Sequence, residues 1–332
     1  MIKAAVLGAG TWGTALTIQL SKNGHETTLW SAVPREIEAL KKDRASIPNL
    51  PGASMPENVR LTTDICEAVK DKDLLVFAVA SPFVRSVAAS LKDKIREGQI
   101  IVNVGKGIEE ATLMTLTEVI ADELPQARVA VLSGPSHAEE VSRSIPTAIV
   151  VGSEDSKDAA FIQRAFMNDF LRIYTSSDVI GIELGGSLKN VIALAAGCVD
   201  GLGYGDNTKA ALMTRGIAEI CRLGVKMGGK METFLGLSGV GDLIVTCTSS
   251  HSRNHNAGYL IGQGKSTEEA MAEVKQVVEG VYCAKAAKKL AEKYGVEMPI
   301  VEEVNHVLFE NKPAKESLIT LFTRDAVSEY KK

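Results

Sequence analysis

The stretch GAGTWG at residues 8–13 decides the fold, because it follows the apolar run Ala4–Leu7 and precedes a helical pattern over Thr14–Lys22. A GxGxxG string between a strand and a helix is typical of a dinucleotide-binding loop. Gly8 would permit the tight turn, Gly10 would let the backbone approach a pyrophosphate, and Gly13 would allow close packing of the helix. Free amides at the helix N-terminus would attract the phosphates. The sequence therefore predicts a bound dinucleotide.

Outward from this loop, the first half of the chain alternates short β-type runs with helical patterns, as in a sheet covered by helices. The near-continuous apolar run LLVFAVA (residues 74–80) fits a strand that is buried on both faces. We therefore expect a Rossmann-type, doubly wound parallel sheet. The predicted strands are Ile2–Leu7, Glu26–Trp30, Leu74–Val79, Ile100–Val104, Val129–Leu132 and Ala148–Val151, with helical patterns at Thr14–Lys22, Phe83–Leu91 and Leu113–Leu124.

The sequence pattern changes near Asp178 from alternating strands and helices to helices alone. A last strand at Leu171–Tyr174 and a polar connection at 175–177 come before it, and strand-like runs are absent after it. Helical spacing then recurs to the end of the chain. We expect an α/β dinucleotide-binding domain over residues 1–178 and an all-α substrate and catalytic domain over residues 179–332. The predicted helices of the second domain are Leu188–Val199, Lys209–Leu223, Thr267–Val274, Ala284–Tyr294 and Val301–Leu308.

Composition excludes several classes of protein. A length of 332 residues suggests two domains, and no stretch approaches the roughly 18 apolar residues of a membrane span. Lys and Arg number 37 against 41 Asp and Glu, without a basic tract, which argues against nucleic-acid binding. No export signal is visible, and the five widely spaced cysteines form no CxxC pair. We expect a cytoplasmic protein that has a small-molecule partner.

The end of the second strand bears on the choice of coenzyme. An acidic residue is expected there when NAD is bound, but the segment 29–33 reads LWSAV and lacks a carboxylate. Glu36, beyond Pro34, is not predicted to be well placed. Ser31 could donate to a hydroxyl or a phosphate, and Arg35 could reach a 2′-phosphate, although a solvated arginine is an equal alternative. We expect NAD(H) and NADP(H) both to serve, with NADPH slightly favoured.

Several segments together resemble the bacterial NAD(P)-dependent glycerol-3-phosphate dehydrogenases. They cover both predicted domains, in order and at the spacings typical of that family, which makes the set far more specific than the glycine loop. The segments are GAGTWGTAL (8–16), NVGKGIE (103–109), LSGPSHAEEV (132–141), ELGGSLKNVIALAAG (183–197), GVGDLIVTC (239–247), SSHSRNHNAG (249–258) and VVEGVYCAK (277–285). In that family Thr11 is often serine or asparagine, and the stretch after Trp30 varies.

The resemblance implies interconversion of sn-glycerol 3-phosphate and dihydroxyacetone phosphate, for phospholipid synthesis, with Lys189 as proton acceptor. It places Lys106, Asp242, Asn190 and Thr246 beside Lys189 in the catalytic group. The implied coenzyme contacts, beyond the glycines, Ser31 and Arg35, are Thr11, Trp12, Phe83, Lys106, Ala138, Arg253, Val277 and Glu279. The implied substrate contacts are Lys106, Gly134, Ser136, Lys189, Asp242, Ser252, Arg253 and Asn254.

The chemistry of alcohol oxidation fits a buried lysine. A proton must leave the hydroxyl for a base as the hydride leaves carbon, and burial or nearby cations lower a lysine pKa from about 10.4. Lys106, and Arg253 if it folds inward, would lower the pKa of Lys189, while Asp242 could hold the cation. Asn190 could orient the amine, bind a substrate oxygen or simply pack. Without the resemblance, a lysine reaching solvent would be the better interpretation of Lys189.

Two polar clusters near residue 250 remain. Ser252, Arg253 and Asn254 offer hydroxyl, guanidinium and amide donors at a helix start, which suits a substrate phosphate, although a capping loop is the alternative. His251 and His255 have the spacing of two metal ligands, but no carboxylate or cysteine lies close in sequence to complete a site. We therefore expect no metal.

Two alternatives stay open. One is another dehydrogenase of the hydroxyacid or phosphogluconate type, against which the stretch from GVGDLIVTC to SRNHNAG argues. The other is a non-catalytic NAD(P)-binding redox sensor, against which the pair Lys106 and Lys189 argues. Helical second domains of this kind commonly pair, so we expect a homodimer.

Overall fold

The computed structural model describes residues 1–47, 50–326, 328 and 329. In this part of the chain, a sheet of eight strands has the order β3-β2-β1-β4-β5-β6-β7-β8, and its first six positions have the doubly wound order expected of a dinucleotide-binding fold. The strands are β1 (Lys3–Leu7), β2 (Glu26–Trp30), β3 (Arg60–Thr62), β4 (Leu74–Phe77), β5 (Ile100–Asn103), β6 (Arg128–Ser133), β7 (Thr147–Gly152) and β8 (Leu171–Ser176).

Helices cover this sheet and form the rest of the chain. Those between the strands are α1 (Thr11–Lys22), α2 (Pro34–Lys42), α3 (Ile65–Val69), α4 (Val84–Ala89), α5 (Leu116–Glu123), α6 (Ala138–Ser142) and α7 (Ser156–Phe166). Those after it are α8 (Val179–Gly201), α9 (Asp206–Lys226), α10 (Met231–Phe234), α11 (Asp242–Thr248), α12 (Arg253–Gly262), α13 (Thr267–Val274), α14 (Glu279–Tyr294), α15 (Pro299–Phe309) and α16 (Ala314–Phe322). The Rossmann-type sheet followed by a helical half is thus confirmed.

The sheet departs from the expected parallel arrangement at β7. β6 pairs with β7 in the antiparallel sense, and β8 then runs parallel to β7. The connection holds only the five-residue α6, which at about 1.5 Å per residue spans about 7.5 Å. A six-residue strand such as β6 is about 20 Å long. Because α6 is too short to carry the chain back along β6, β7 starts at the edge where β6 ends.

The strand β3 is a further difference, since the sequence did not predict it. Its three residues pair with the outer side of β2 and form an edge of the sheet. A run this short, Arg-Leu-Thr, carries too few alternations to show a period of two.

The helix α8 is the central element of the helical half. Asp178 caps its start by accepting hydrogen bonds from the Gly181 amide at 3.0 Å, the Lys230 amide at 2.8 Å and the Thr233 hydroxyl at 2.6 Å. By length and composition α8 could cross a membrane, but 83% of its most apolar window is buried inside the protein. It is therefore the core helix around which α9, α11, α12 and α14 pack.

Candidate active site

Two lysines from different halves of the chain share one buried carboxylate. Lys189 extends from α8 and donates to Asp242 Oδ1 at 2.7 Å, and Lys106, in the loop after β5, donates to Asp242 Oδ2 at 2.6 Å. Lys189 also donates to Thr246 Oγ1 at 2.5 Å. Asp242 and Thr246 are almost fully buried. The structure therefore brings together four of the five residues predicted to be catalytic.

The local backbone explains where Asp242 lies. A π-helical segment, Leu237–Gly241, leads into α11, and Asp242 is the first residue of that helix. Such segments are frequent at functional sites, and a helix N-terminus stabilises a carboxylate. One turn later, the Thr246 hydroxyl donates to the Asp242 carbonyl oxygen at 2.6 Å. Thr246 thereby presents its oxygen lone pairs to the Lys189 amine.

The pKa values of this cluster follow from burial and from the two lysine charges. Burial lowers the pKa of Lys189 to about 8; Lys106 adds to the lowering, and the attraction of Asp242 opposes it. Burial alone would raise the pKa of Asp242, but Lys106 and Lys189 outweigh it and hold this pKa below its ordinary value. Asp242 thus stays a carboxylate, while Lys189 can lose its proton close to neutral pH.

The predicted substrate residues of the sheet half lie beside Lys106. Its amine donates to the Gly134 carbonyl at 3.1 Å, and the Ser136 hydroxyl donates to the same oxygen at 2.9 Å. Gly134 has a φ of +134°, and a Cβ there would lie 3.0 Å from the Ile149 Cα, so the position requires glycine. The turn after β6 thus faces the loop after β5 across the lysine.

The predicted anion residues lie at the start of α12. Ser252 is the N-cap and accepts from the His255 amide at 3.2 Å, and Arg253 is exposed. Asn254 is buried; its amide nitrogen donates to Asn190 Oδ1 at 3.0 Å, and its oxygen accepts from the Gly280 amide at 2.8 Å. Asn190 therefore links α8 to α12. The side chains of Asn190 and Lys189 make no mutual hydrogen bond among the described residues.

Glycines allow α8 and α12 to cross with their backbones in contact. A Cβ on Gly197 of α8 would lie 2.0 Å from the His255 carbonyl oxygen, and a Cβ on Gly258 of α12 would lie 1.9 Å from the Leu194 carbonyl oxygen. Gly201 and Gly262 lie one turn further along each helix, and a Cβ on them would lie 2.2 and 2.5 Å from carbonyl oxygens of the opposite helix. This glycine crossing fixes the separation between Lys189 and the start of α12.

The glycine loop has the geometry that a dinucleotide requires. Gly8 has a φ of +121°, and a Cβ there would lie 2.4 Å from the Ala78 carbonyl oxygen; a Cβ on Gly13 would lie 2.0 Å from the Gly8 oxygen. Gly10 is the N-cap of α1 without a capping side chain, and a Cβ there would meet no described atom within 4 Å. Open space before the first amides of α1 fits a pyrophosphate. Thr11 and Trp12 are half-buried at this helix start.

The other residues with implied coenzyme contacts lie on several elements. Phe83 is exposed in a 3₁₀ turn, Ser81–Phe83, and Ala138 is the buried first residue of α6. Val277 is half-buried just before α14, and Glu279 is the first residue of α14. The Glu279 carboxylate accepts hydrogen bonds from the Ser81 amide at 3.1 Å and from the Ser81 hydroxyl. This contact ties the start of α14 to the carboxyl end of β4.

The end of β2 differs from the sequence-based expectation. Glu36, in the first turn of α2, accepts a hydrogen bond at 2.5 Å from the Ser31 hydroxyl, so a carboxylate does lie where the sequence suggested none. The reason is the turn at Pro34, which starts α2 at once and brings its first turn back to the strand end. Arg35 is exposed on the same turn.

The two histidines considered as metal ligands have separate partners. His255 Nε2 lies 2.8 Å from Asp200 Oδ2, whereas the ring of His251 lies 5.8 Å from that of His137. Among the residues that the structure describes, no group of three or more His, Cys, Asp or Glu side chains could hold a metal ion.

Sequence reasoning missed Glu183, Asn103 and Ser81, all of which make contacts between the two halves. Glu183 had a visible signal, because it is one of only two charged residues of α8 between Val179 and Val199, the other being Lys189. An isolated charge in a buried helix needs a partner.

Comparison with known proteins places both halves in one family. Residues 3–159 match the family model for the NAD-dependent glycerol-3-phosphate dehydrogenase N-terminus, and residues 178–319 match the model for its C-terminus.

Individual relatives agree over the full length. The glycerol-3-phosphate dehydrogenase (NAD(P)+) of Agathobacter rectalis is 59% identical, covering 99% of this chain and 98% of its own. The protein of the same name from Fusobacterium nucleatum is 57% identical, covering 98% of each chain. The crystal structure of glycerol-3-phosphate dehydrogenase from Coxiella burnetii superposes with a TM-score of 0.94 at 35% identity, covering 97% of this chain and 99% of that one.

Proposed function

The chain belongs to the NAD-dependent glycerol-3-phosphate dehydrogenase family, and from that premise we propose that it interconverts sn-glycerol 3-phosphate and dihydroxyacetone phosphate with a nicotinamide coenzyme. The observation that carries the proposal is the buried Asp242 with Lys189 on one oxygen and Lys106 on the other. This arrangement offers one amine that can exchange a proton near neutral pH and a second amine that can bind an oxygen of the substrate.

Lys189 is the proton acceptor in this proposal. With a pKa of about 8, roughly a tenth of its amines are neutral at pH 7, against well under a thousandth at the ordinary value. In alcohol oxidation the neutral amine takes the hydroxyl proton, and Asp242 and Thr246 stabilise the resulting ammonium through the hydrogen bonds described above. In ketone reduction the ammonium gives the proton back to the developing alkoxide. Lys106, Gly134 and Ser136 would hold the substrate oxygens.

The start of α12 is the proposed phosphate site. Its first-turn amides carry partial positive charge, and the exposed Arg253 can add a charge-assisted hydrogen bond. Ser252 and Asn254 have protein partners but keep free hydrogen-bonding capacity toward an anion. Binding energy from the phosphate would orient the reacting carbon toward Lys189.

The dinucleotide would lie on the glycine loop, held by the α1 amides, Thr11 and Trp12 and flanked by Phe83, Ala138, Val277 and Glu279. When bound, the nicotinamide accepts or supplies the hydride. Both NAD(H) and NADP(H) are proposed to serve, with Ser31 and Arg35 near the adenosine ribose. The expectation that NADPH is slightly favoured stays a prediction, and Glu36 weighs against it, because a carboxylate there repels a 2′-phosphate.

Further proposals concern the domain boundary, cellular location, oligomeric state and metabolic role of the enzyme. The division at residues 178 and 179 is supported by the change from β8 to α8, and a cytoplasmic location is supported by five cysteines without disulfides. A homodimer and a role in supplying phospholipid synthesis are proposed from the family alone.

One assay tests the activity and the two rival functions together. Purified protein is mixed with NADH or NADPH and dihydroxyacetone phosphate, dihydroxyacetone or a 2-keto acid, and coenzyme oxidation is followed. We expect turnover of the phosphorylated ketone only, and Arg253→Ala should weaken this turnover more than it weakens coenzyme binding. Equal turnover of dihydroxyacetone, or preference for a keto acid, would contradict the proposal. Coenzyme binding without turnover of any substrate would favour the redox sensor.

A further inference from the structure

The loop that carries Lys106 is held by side chains of α8. Glu183 and Ser187 are one turn apart on this helix and face the sheet half, and the catalytic Lys189 follows. Ser187 donates its hydroxyl hydrogen to the Gly107 carbonyl at 3.1 Å, so it contacts the residue directly after Lys106. Both side chains are buried.

Glu183 reaches the same loop from its other side. Its Oε1 accepts from the Thr117 amide at 3.0 Å and from the Asn103 side-chain amide at 3.4 Å, and its Oε2 accepts from the Thr117 hydroxyl. Thr117 lies in the first turn of α5, where free amides favour an acceptor. The carboxylate therefore joins α8 to the end of β5 and to the start of α5.

Asn103 transmits this contact to the residue before Lys106. Its Oδ1 accepts from the Gly105 amide at 3.1 Å, and its Nδ2 donates to the Gly105 carbonyl at 3.1 Å. A Cβ on Gly105 would lie 3.1 Å from the Val79 carbonyl oxygen, so this part of the loop is also tightly packed. Gly105 and Gly107, on either side of Lys106, are thus fixed by separate chains of hydrogen bonds that both begin on α8.

We infer that Glu183 and Ser187 are positioning residues, which hold Lys106 at the distance from Lys189 at which both amines can engage Asp242 and the substrate. The inference rests on the proposed function of Lys106 as a substrate contact. One helix then sets both lysines, one directly and one through the loop. Loss of either contact should leave the glycine loop intact and shift the Lys106 amine relative to the substrate.

Glu219 provides a matched control for Glu183. It is a second buried glutamate, and it accepts hydrogen bonds from the Ile300 amide at 2.9 Å and the Val301 amide at 3.3 Å in the first turn of α15. Like Glu183, it satisfies a helix N-terminus from a neighbouring helix. Its contacts are to α15 and do not include the Lys106 loop. A change at Glu219 therefore reproduces the structural loss without the positioning loss.

The test compares Glu183→Gln, Ser187→Ala and Glu219→Gln with the wild type. For each protein, kcat and KM for dihydroxyacetone phosphate, the Kd of the coenzyme and Tm are measured. For Glu183→Gln we expect kcat/KM to fall by about 10- to 100-fold, the effect of misplacing a substrate-positioning group by about 1 Å, with a much smaller change in the coenzyme Kd because the glycine loop is untouched. Ser187→Ala should act in the same direction but more weakly, and Glu219→Gln should change Tm without changing kcat/KM.

The outcomes separate the inference from the proposed function. If wild type does not turn over dihydroxyacetone phosphate, the proposed function fails first. If wild type is active and Glu183→Gln matches Glu219→Gln in every kinetic constant, Glu183 is merely structural and the inference is overturned. If Glu183→Gln does not fold, Ser187→Ala decides, because normal kinetics in that variant would overturn the inference that both side chains position Lys106.

Discussion

The activity of Lys189 as proton acceptor or donor depends on whether its amine is protonated, and the residues around it control that protonation state. Because burial brings its pKa to about 8, oxidation of glycerol 3-phosphate, which needs the neutral amine, should speed up as the pH rises through about 8. Reduction of dihydroxyacetone phosphate, which needs the ammonium, should slow over the same interval. The measurement is the pH dependence of kcat in each direction.

Replacement of Lys189 tests the same assignment directly. Lys189→Ala should lower kcat by at least about 100-fold, the usual contribution of a positioned acid or base, while the coenzyme still binds. The pH dependence near 8 should disappear with it. A variant that keeps most of its activity would move the proton-transfer role to Lys106 or to a water molecule.

Single residues should also determine the preference between NADH and NADPH. Glu36→Gln removes the carboxylate beside Ser31, so it should raise kcat/KM with NADPH relative to NADH; Arg35→Ala should lower this ratio. Because both side chains are at least partly exposed, each change should be moderate, roughly several-fold. Binding of ADP-ribose and its 2′-phosphate, measured by calorimetry, gives an independent readout. Unchanged ratios in both variants would remove the two residues from coenzyme selection.

At the scale of the elements, α8 is anchored by its N-cap residue, Asp178. Asp178 accepts three hydrogen bonds and joins α8 to α10, whereas Asp155, the N-cap of α7, accepts one from the Lys157 amide at 2.8 Å. Asp178→Ala should therefore cost about 2–3 kcal/mol of the free energy of unfolding and Asp155→Ala about 1 kcal/mol. Urea denaturation with an unchanged m-value is the measurement. Equal losses would show that the link to α10 adds nothing.

The elements also show how far sequence reasoning reaches. Strands with long apolar runs and helices with clear periodicity were predicted to within a few residues, as at β4 and α13, because burial dictates those patterns. The direction of β7 was wrong, since it depends on the length of a connecting helix and not on the strand's own residues. Glu36 was misjudged because its proximity to Ser31 arises from the path of the chain at Pro34.

At the scale of the whole molecule, two buried glutamates make stability depend on pH. Burial raises the pKa of both Glu183 and Glu219 to about 7 from an ordinary value of 4.5. Between those values these two groups hold more protons in the folded chain than in the unfolded chain, so their contribution to the free energy of unfolding should fall as the pH rises from about 4.5 to 7. Each group contributes at most about 1.4 kcal/mol per pH unit.

Replacing either glutamate by glutamine should flatten this slope, because glutamine does not titrate. The measurement is the urea-derived free energy of unfolding at pH 5, 6 and 7 for wild type, Glu183→Gln and Glu219→Gln. Glu97→Gln, at an exposed position, is the control and should keep the wild-type slope. The same pH slope of the free energy of unfolding in wild type and in both buried-glutamate variants would contradict the expectation.

The sequence predicted which residues form the candidate site, but it did not predict the hydrogen bonds that connect the site to distant segments. Lys106, Lys189 and Asp242 were predicted through the family resemblance, and the structure places both amines in direct contact with the Asp242 carboxylate. The links Glu183–Asn103 and Ser81–Glu279 join residues about 80 and 198 positions apart, and no local pattern in one sequence encodes such a pairing. Their assigned roles in the reaction remain proposals.

The glycine crossing of α8 and α12 makes the site selective for the length of its substrate. It fixes the distance between the amine of Lys189 and the first turn of α12, because the two helices touch through backbone atoms, which cannot move aside as side chains do. A phosphorylated ketone with one more carbon between carbonyl and phosphate would therefore find no compensating movement. We expect such a homologue of dihydroxyacetone phosphate to be turned over far more slowly. Gly258→Ala must push the helices apart, so it should reduce the difference in turnover between the two substrates.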